Sequence, residues 1–189
     1  MERSTKPLLI MFVGVPGSDK TTFARQLAIK LNAVTLNSDA IRVSMWGSRE
    51  AVWATHKNQS ERDRGNKLTF GALDYAAGQV LTAGYSVVYD CNANKVKERN
   101  KMREIAAKHG AESILVYIKT PHELAIQRIT RREEAHDAIS QNPEKAQEIV
   151  ERFARAIELP IPSERVVVIN GEVPFGEQYK LFQSTLTNL

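Results

Sequence analysis

The stretch Gly14-Val15-Pro16-Gly17-Ser18-Asp19-Lys20-Thr21 constrains this chain more than any other. It follows the continuous apolar run Leu8–Val13 and leads into Phe23, Leu27 and Leu31, spaced by four. The run predicts a strand buried on both faces, and the spacing predicts a helix over 21–31. A glycine-rich turn between the two aims backbone N–H groups and the positive end of a helix at one point, which suits a phosphate group. A lysine there pairs with β- and γ-phosphate oxygens, and the following hydroxyl holds Mg²⁺. The pattern G-x-x-x-x-G-K-[ST] is met at Gly14, Lys20 and Thr21. Gly14, Pro16, Gly17, Ser18, Asp19, Lys20, Thr21 and Thr22 are therefore the expected contacts of ATP, with Thr21 also on the metal.

Asp19 stands where the second glycine of that pattern belongs. A side chain at this point must tolerate a backbone chosen for glycine. Its carboxylate would crowd the negative charge of a nucleotide, or it could cap the helix start in the empty protein. The second arrangement competes with ATP.

The rest of the chain alternates strand and helix signals. Further strands are predicted over 33–36, 86–89, 113–118 and 165–169. A long helix carrying Leu68, Ala72, Ala76, Val80 and Leu81 stops near Gly84, and a charged one covers 95–109. Pro121 opens another, Asn142–Pro143 begins one bearing Ile149, Val150, Phe153 and Ile157, and the last spans 175–186. The stretches 46–59 and 131–142 read as polar connections. Five strands, each followed by helix, imply an α/β fold over residues 1–189 with a five-stranded parallel sheet flanked by helices. The Gly14–Thr21 loop after the first strand makes a phosphate-loop NTPase fold the expectation. A small helical lid is expected at about 128–143.

Composition excludes several alternatives. With 42% hydrophobic and 25% charged residues, the chain is neither disordered nor of low complexity. Its 26 Lys+Arg against 22 Asp+Glu leave a formal charge of +4, which permits a polyanionic partner without requiring one. Cys91 is the sole cysteine, so an internal disulfide and a Cys-rich zinc site are both excluded. The apolar run at 8–13 is too short to span a bilayer and lacks a small-residue cleavage site after it, so a cytoplasmic protein without membrane contact is expected.

In open parallel sheets ligands bind at the carboxyl ends of the strands, where Gly14, residues 37–39, Asp90 and residues 119–120 fall. The phosphate loop, followed by Asn37-Ser38-Asp39-Ala40-Ile41-Arg42, resembles the small P-loop kinases related to phage polynucleotide kinase and zeta toxin, among the AAA-type ATP-binding proteins. The Asp90-Cys91-Asn92-Ala93-Asn94 segment and the pair Arg128 and Arg132 fit the same resemblance, which runs along most of the chain. It implies that Asp39 accepts the proton of an acceptor hydroxyl. The alternative for Asp39 is a helix N-cap for residues 40–45. Arg42, one turn later, could pair with an acceptor phosphate or with the transferred group. Asp90 could hold Mg²⁺ through water, orient Arg42, or simply form a turn. Asn92 and Asn94 could bond acceptor or phosphate oxygens or make local turns. Cys91 reads as buried and inert.

Arg128 and Arg132, four apart, share a helix face and could close over the phosphates, or end a solvated helix. Arg131 is a weaker member of that group. Trp46 and Trp53 could stack a ring or pack internally. The four histidines show no metal-ligand spacing and read as surface residues, and the basic residues 95–103 read as a solvated helix face. No Asn-Lys-x-Asp signature of guanine recognition is present. The expected function is ATP- and Mg²⁺-dependent phosphoryl transfer to a hydroxyl of a polynucleotide, a nucleotide sugar or a small alcohol. The competing expectation is a nucleotide-binding relative weakened by Asp19.

Overall fold

The computed structural model describes residues 6–131 and 143–187. Its centre is one parallel sheet of β1 (Leu8–Val13), β2 (Val34–Asn37), β3 (Val87–Asn92), β4 (Glu112–Lys119) and β5 (Val166–Asn170), in the order β2-β3-β1-β4-β5. The helices are α1 (Lys20–Leu31), α2 (Ser38–Trp46), α3 (Arg49–Thr55), α4 (Gln59–Thr82), α5 (Val96–Lys108), α6 (His122–Thr130), α7 (Ala146–Ala156) and α8 (Phe175–Thr187). A 3₁₀ turn over Pro143–Lys145 precedes α7. Among the described residues, no helix is long and apolar enough to cross a membrane.

β1 is apolar throughout because it is covered on both faces. Leu9, Met11 and Val13 point to the side packed by Leu73, Ala77 and Leu81 of α4 and Met102 and Ala106 of α5. Ile10 and Phe12 point to the opposite side, against Phe23 and Leu27 of α1 and Phe182 of α8. A smaller cluster joins Val15 of the phosphate loop to Ala125 and Ile129 of α6 and Ala146 and Val150 of α7. The two helices flanking residues 132–142 are thus anchored directly on the loop. The segment expected to form a lid, Arg132 included, lies outside the described residues apart from its ends.

The β1–β3 register runs Leu9 to Val87, Ile10 to Val88 and Met11 to Tyr89, then shifts so that Phe12 faces Asn92. Asp90 and Cys91 lie in this irregularity, the kind of local bulge that re-aims side chains beside functional sites. β3 consequently extends beyond 86–89, because its polar end pairs with β2 through Asn37 and Asp90.

Several sequence expectations need correction. The stretch 46–59 is mostly helical rather than a polar connection. Its polar residues are caps: Ser48 Oγ accepts from Ala51 N–H and Asn58 Oδ1 from Ser60 N–H, while Val52 is buried. Arg99 does not belong to a solvated basic face. It is fully buried, with Nε 2.5 Å from Glu164 and Nη1 donating to the carbonyl of Ala93 at 3.1 Å. His109 is not simply a surface residue, since its Nδ1 lies 2.8 Å from Thr82 Oγ1 and its ring fills the space beside Gly78.

Candidate active site

The phosphate loop, the starts of α1 and α2, the end of β3 and one face of α6 enclose a cleft of about 610 Å³. Pro16, Gly17, Asp19, Lys20, Thr21, Thr22, Asp39, Arg42, Asp90 and Arg128 all line it, so most of the sequence-derived site residues converge. Arg131 and Asn92 line it as well. Gly14 and Ser18 stand behind the loop surface. Ser18 is fully buried, and the Gly14 N–H is held by Asn94 Oδ1 at 3.4 Å. Asn94 therefore braces the loop from inside the protein.

Gly17 is required where it is. Its φ is +79°, and a Cβ there would come within 2.3 Å of the Ala125 carbonyl oxygen. Asp19 also has left-handed backbone, φ 64° and ψ 26°, which aspartate tolerates better than most residues. It occupies the N-cap position of α1, but its side chain makes no capping bond. The carboxylate instead pairs with Arg128, Oδ2 to Nε at 3.1 Å. Lys20 does not simply face solvent. Its ammonium donates to the carbonyls of Gly14 (2.9 Å) and Val15 (2.8 Å) and to Ser18 Oγ (3.3 Å).

At the phosphate-loop side of the cleft, Thr21 Oγ1 donates to Asp90 Oδ1 at 3.2 Å. A hydroxyl and a carboxylate side by side suit Mg²⁺, which takes few protein ligands and completes its shell with water and substrate phosphates. Among the described residues there is no group of three or more His, Cys, Asp or Glu that could hold a metal ion. Burial pushes the Asp90 carboxyl above its ordinary range, opposed by hydrogen bonds from Asn37 and Thr21 and by the charges of Lys20 and Arg25. Burial likewise pushes the Cys91 thiol up to about 12, in keeping with an inert residue.

On the opposite side, Asp39 and Arg42 form an ion pair, Oδ1 to Nη1 at 3.1 Å. Arg42 also donates to Asn66 Oδ1 at 3.0 Å and lies 5.4 Å above the Phe70 ring. Asp90 is therefore turned to Thr21 and Asn37, not to Arg42. Asp39 is not the helix cap either. Asn37 has that role, its Oδ1 accepting from Ala40 N–H at 2.8 Å.

Asn37, Asn66 and Phe70 are the contributors that sequence reasoning missed. Asn37 Nδ2 donates to Asp90 Oδ2 at 2.6 Å, so one amide both starts α2 and supports the Asp90 carboxylate. Its position ahead of Ser38-Asp39 was a legible capping signal. Asn66 and Phe70, four apart on α4, present one helix face to Arg42, but nothing local marks that face.

Similarity to known proteins agrees with this architecture. A gluconokinase from Sinorhizobium meliloti superposes with TM-score 0.64 at 19% identity, covering 97% of this chain and 94% of its own. A sugar kinase from Janibacter gives 0.65 at 20%, covering 97% and 95%. The Mycobacterium tuberculosis APS kinase in complex with AMPPNP and APS gives 0.62 at 16%, covering 97% and 99%. The fold is that of the P-loop kinases. A search among curated protein sequences finds no match. The family model described as AAA domain matches residues 9–160, and the chain belongs to that family.

Proposed function

We propose that this AAA-domain chain transfers the γ-phosphoryl group of ATP to a hydroxyl of a small acceptor. The observation that carries the reading is the single cleft in which phosphate-loop groups, a hydroxyl–carboxylate pair and an Asp–Arg pair face one another. Phosphoryl transfer needs little covalent chemistry from a protein. It needs positioning, charge to stabilise the transferring group, and a base near the incoming oxygen.

The loop amides and Lys20 would bind the triphosphate once the lysine exchanges its carbonyl partners for phosphate oxygens. Thr21 and Asp90 would hold Mg²⁺, which when bound neutralises charge on the phosphates and aligns them. Asp39 would accept the proton of the acceptor hydroxyl through its carboxylate. Arg42, held by Asn66 and Asp39, would orient the acceptor or the transferred group. Arg128 would add charge over the phosphates, and Arg132 is proposed alongside it on the basis of sequence spacing.

The cleft volume falls within the range of small-molecule sites, which favours a small alcohol or nucleotide over a polynucleotide. The similar structures of a gluconokinase, a sugar kinase and an APS kinase are all named for small-molecule acceptors, which supports the same choice.

The test is a phosphotransfer assay with ATP and Mg²⁺ over sugars, sugar acids, nucleosides and 5′-hydroxyl oligonucleotides. Lys20→Ala should abolish transfer. Asp39→Asn should lower turnover by about a hundredfold or more, at the lower end of what general base catalysis contributes, while ATP still binds. Unchanged turnover in Asp39→Asn would refute the base assignment, and unchanged ATP dependence in Lys20→Ala would refute the site.

A further inference from the structure

Asp19 has no place in the phosphoryl-transfer scheme above, yet it sits at the centre of the phosphate loop. We infer that Asp19 is a positioning residue that acts through Arg128: in the empty protein its carboxylate takes the place of a phosphate, holds the arginine at the loop edge and sets a brake on nucleotide binding. This rests on the reading of the cleft as an ATP site and concerns the regulation of that site.

The backbone supplies the first step. Asp19 has left-handed backbone, φ 64° and ψ 26°, which aspartate adopts more readily than most residues. The usual destination of an aspartate at a helix start is a capping bond to its own first turn. That bond is not made here, and the carboxylate reaches Arg128 Nε at 3.1 Å instead.

The state of Arg128 supplies the second. Its Nη2 donates to the carbonyl of Gly171 at 2.9 Å. Its Nη1 is enclosed and, among the described residues, without a hydrogen-bond partner. A guanidinium grips phosphate best through two parallel N–H groups along one edge. One edge is taken up by Asp19 and Gly171, and the other includes the enclosed nitrogen. In this position Arg128 offers neither edge to a phosphate, although it lines the cleft.

Packing supplies the third. Ala125, one turn before Arg128 on α6, lies so close to Gly17 that only glycine fits there, and Val15 packs with Ala125 and Ile129. The loop and α6 are therefore packed directly against each other, which brings Asp19 and Arg128 within reach of one another. The pair itself is partly exposed, 46% for the Asp19 side chain and 27% for Arg128. Such pairs are weak, so a triphosphate can displace the carboxylate, and the result is a brake and not a block.

A double-mutant cycle read by calorimetry tests this, with ATP and, separately, inorganic tripolyphosphate as probes. Asp19→Asn removes the charge and keeps a residue that tolerates left-handed backbone, and Asp19→Gly serves as the second variant. Each should tighten binding about two- to fivefold, the scale of a partly exposed ion pair. In the Arg128→Ala background the same changes should have no effect, because the partner through which Asp19 acts is gone. Equal tightening with and without Arg128 would mean direct repulsion of the phosphates and would overturn the inference, as would no tightening at all. If tripolyphosphate shows the cycle and ATP binds to no form, the brake stands and the ATP reading falls. If neither probe binds to any form, both fall.

Discussion

Asn37 is the residue through which the two halves of the cleft are joined, and its substitution separates two contributions that the structure places in one amide. Its Oδ1 caps α2 at Ala40 N–H (2.8 Å), and its Nδ2 donates to Asp90 Oδ2 (2.6 Å). Loss of an N-cap costs about 1 kcal/mol. Loss of a hydrogen bond to a carboxylate costs about 1.5–3 kcal/mol, and Asp90 is only 6% exposed, so water cannot readily replace the donor. Asn37→Ala should therefore destabilise the protein by about 2.5–4 kcal/mol, the sum of the two. Asn37→Ser keeps a good cap but has no amide to reach Asp90, so it should cost about 1.5–3 kcal/mol. The measurement is urea unfolding of the empty protein, comparing midpoints at constant slope. Equal costs for Ala and Ser would show that the cap contributes nothing. A cost below about 0.5 kcal/mol for both, the usual range of a featureless surface change, would refute the bridge altogether. In the phosphotransfer assay Asn37→Ser should need more Mg²⁺ for half-maximal turnover, because Asp90 loses the donor that fixes it.

The buried pair Arg99–Glu164 gives a second prediction. Arg99→Met leaves a Glu164 side chain that is 1% exposed without its partner and should cost about 3–5 kcal/mol, while Arg99→Met/Glu164→Leu should recover part of that, and a double variant no more stable than the single would refute it. A third concerns pH. Burial raises the folded-state pKa of Asp90 above its ordinary value, so between the two values the folded protein holds a proton that the unfolded chain has lost. The stability this group contributes is fully present below the unfolded value and is lost as pH rises through the folded one. Asp90→Asn removes that loss, so its stability relative to the parent should climb from acid toward neutral pH, and a flat or falling difference in unfolding midpoints would contradict the sign.

Legibility in the sequence followed the range of the interactions. β1 is found at the residues its pattern predicts, because an apolar run between Pro7 and Gly14 is a local signal with clear ends. The start of α1 was equally readable, since the loop chemistry sits in consecutive residues. β3 was read short because Asp90 and Asn92 interrupt its apolar pattern, and only pairing with β2 and the register shift against β1 extend it. Asn37 was visible as the start of a motif, but its bond to Asp90 spans 53 residues of sequence. The Arg99–Glu164 bond spans 65. In sequence, Arg99 is one more cation in a charged helix, and its burial depends on where the segment after α7 returns.

The same distinction explains why the anomaly at Asp19 was visible while its consequence was not. A carboxylate in place of a loop glycine is a local fact, and local physics offers it two destinations: repulsion of a phosphate, or a cap on the helix that begins there. Both follow from the nearest neighbours in the chain. The observed partner belongs to neither, because α6 is brought over the loop by the packing of Val15 and Gly17 against Ala125. Once α6 is there, Arg128 reaches the Asp19 carboxylate, and a partly exposed ion pair at 3.1 Å compensates it in place of a capping bond. A residue that looks in sequence like damage to a nucleotide site is, in the fold, paired with the cation that we propose for the phosphates. Whether a substitution in a phosphate loop weakens a site or tunes it thus depends on what the opposite wall presents.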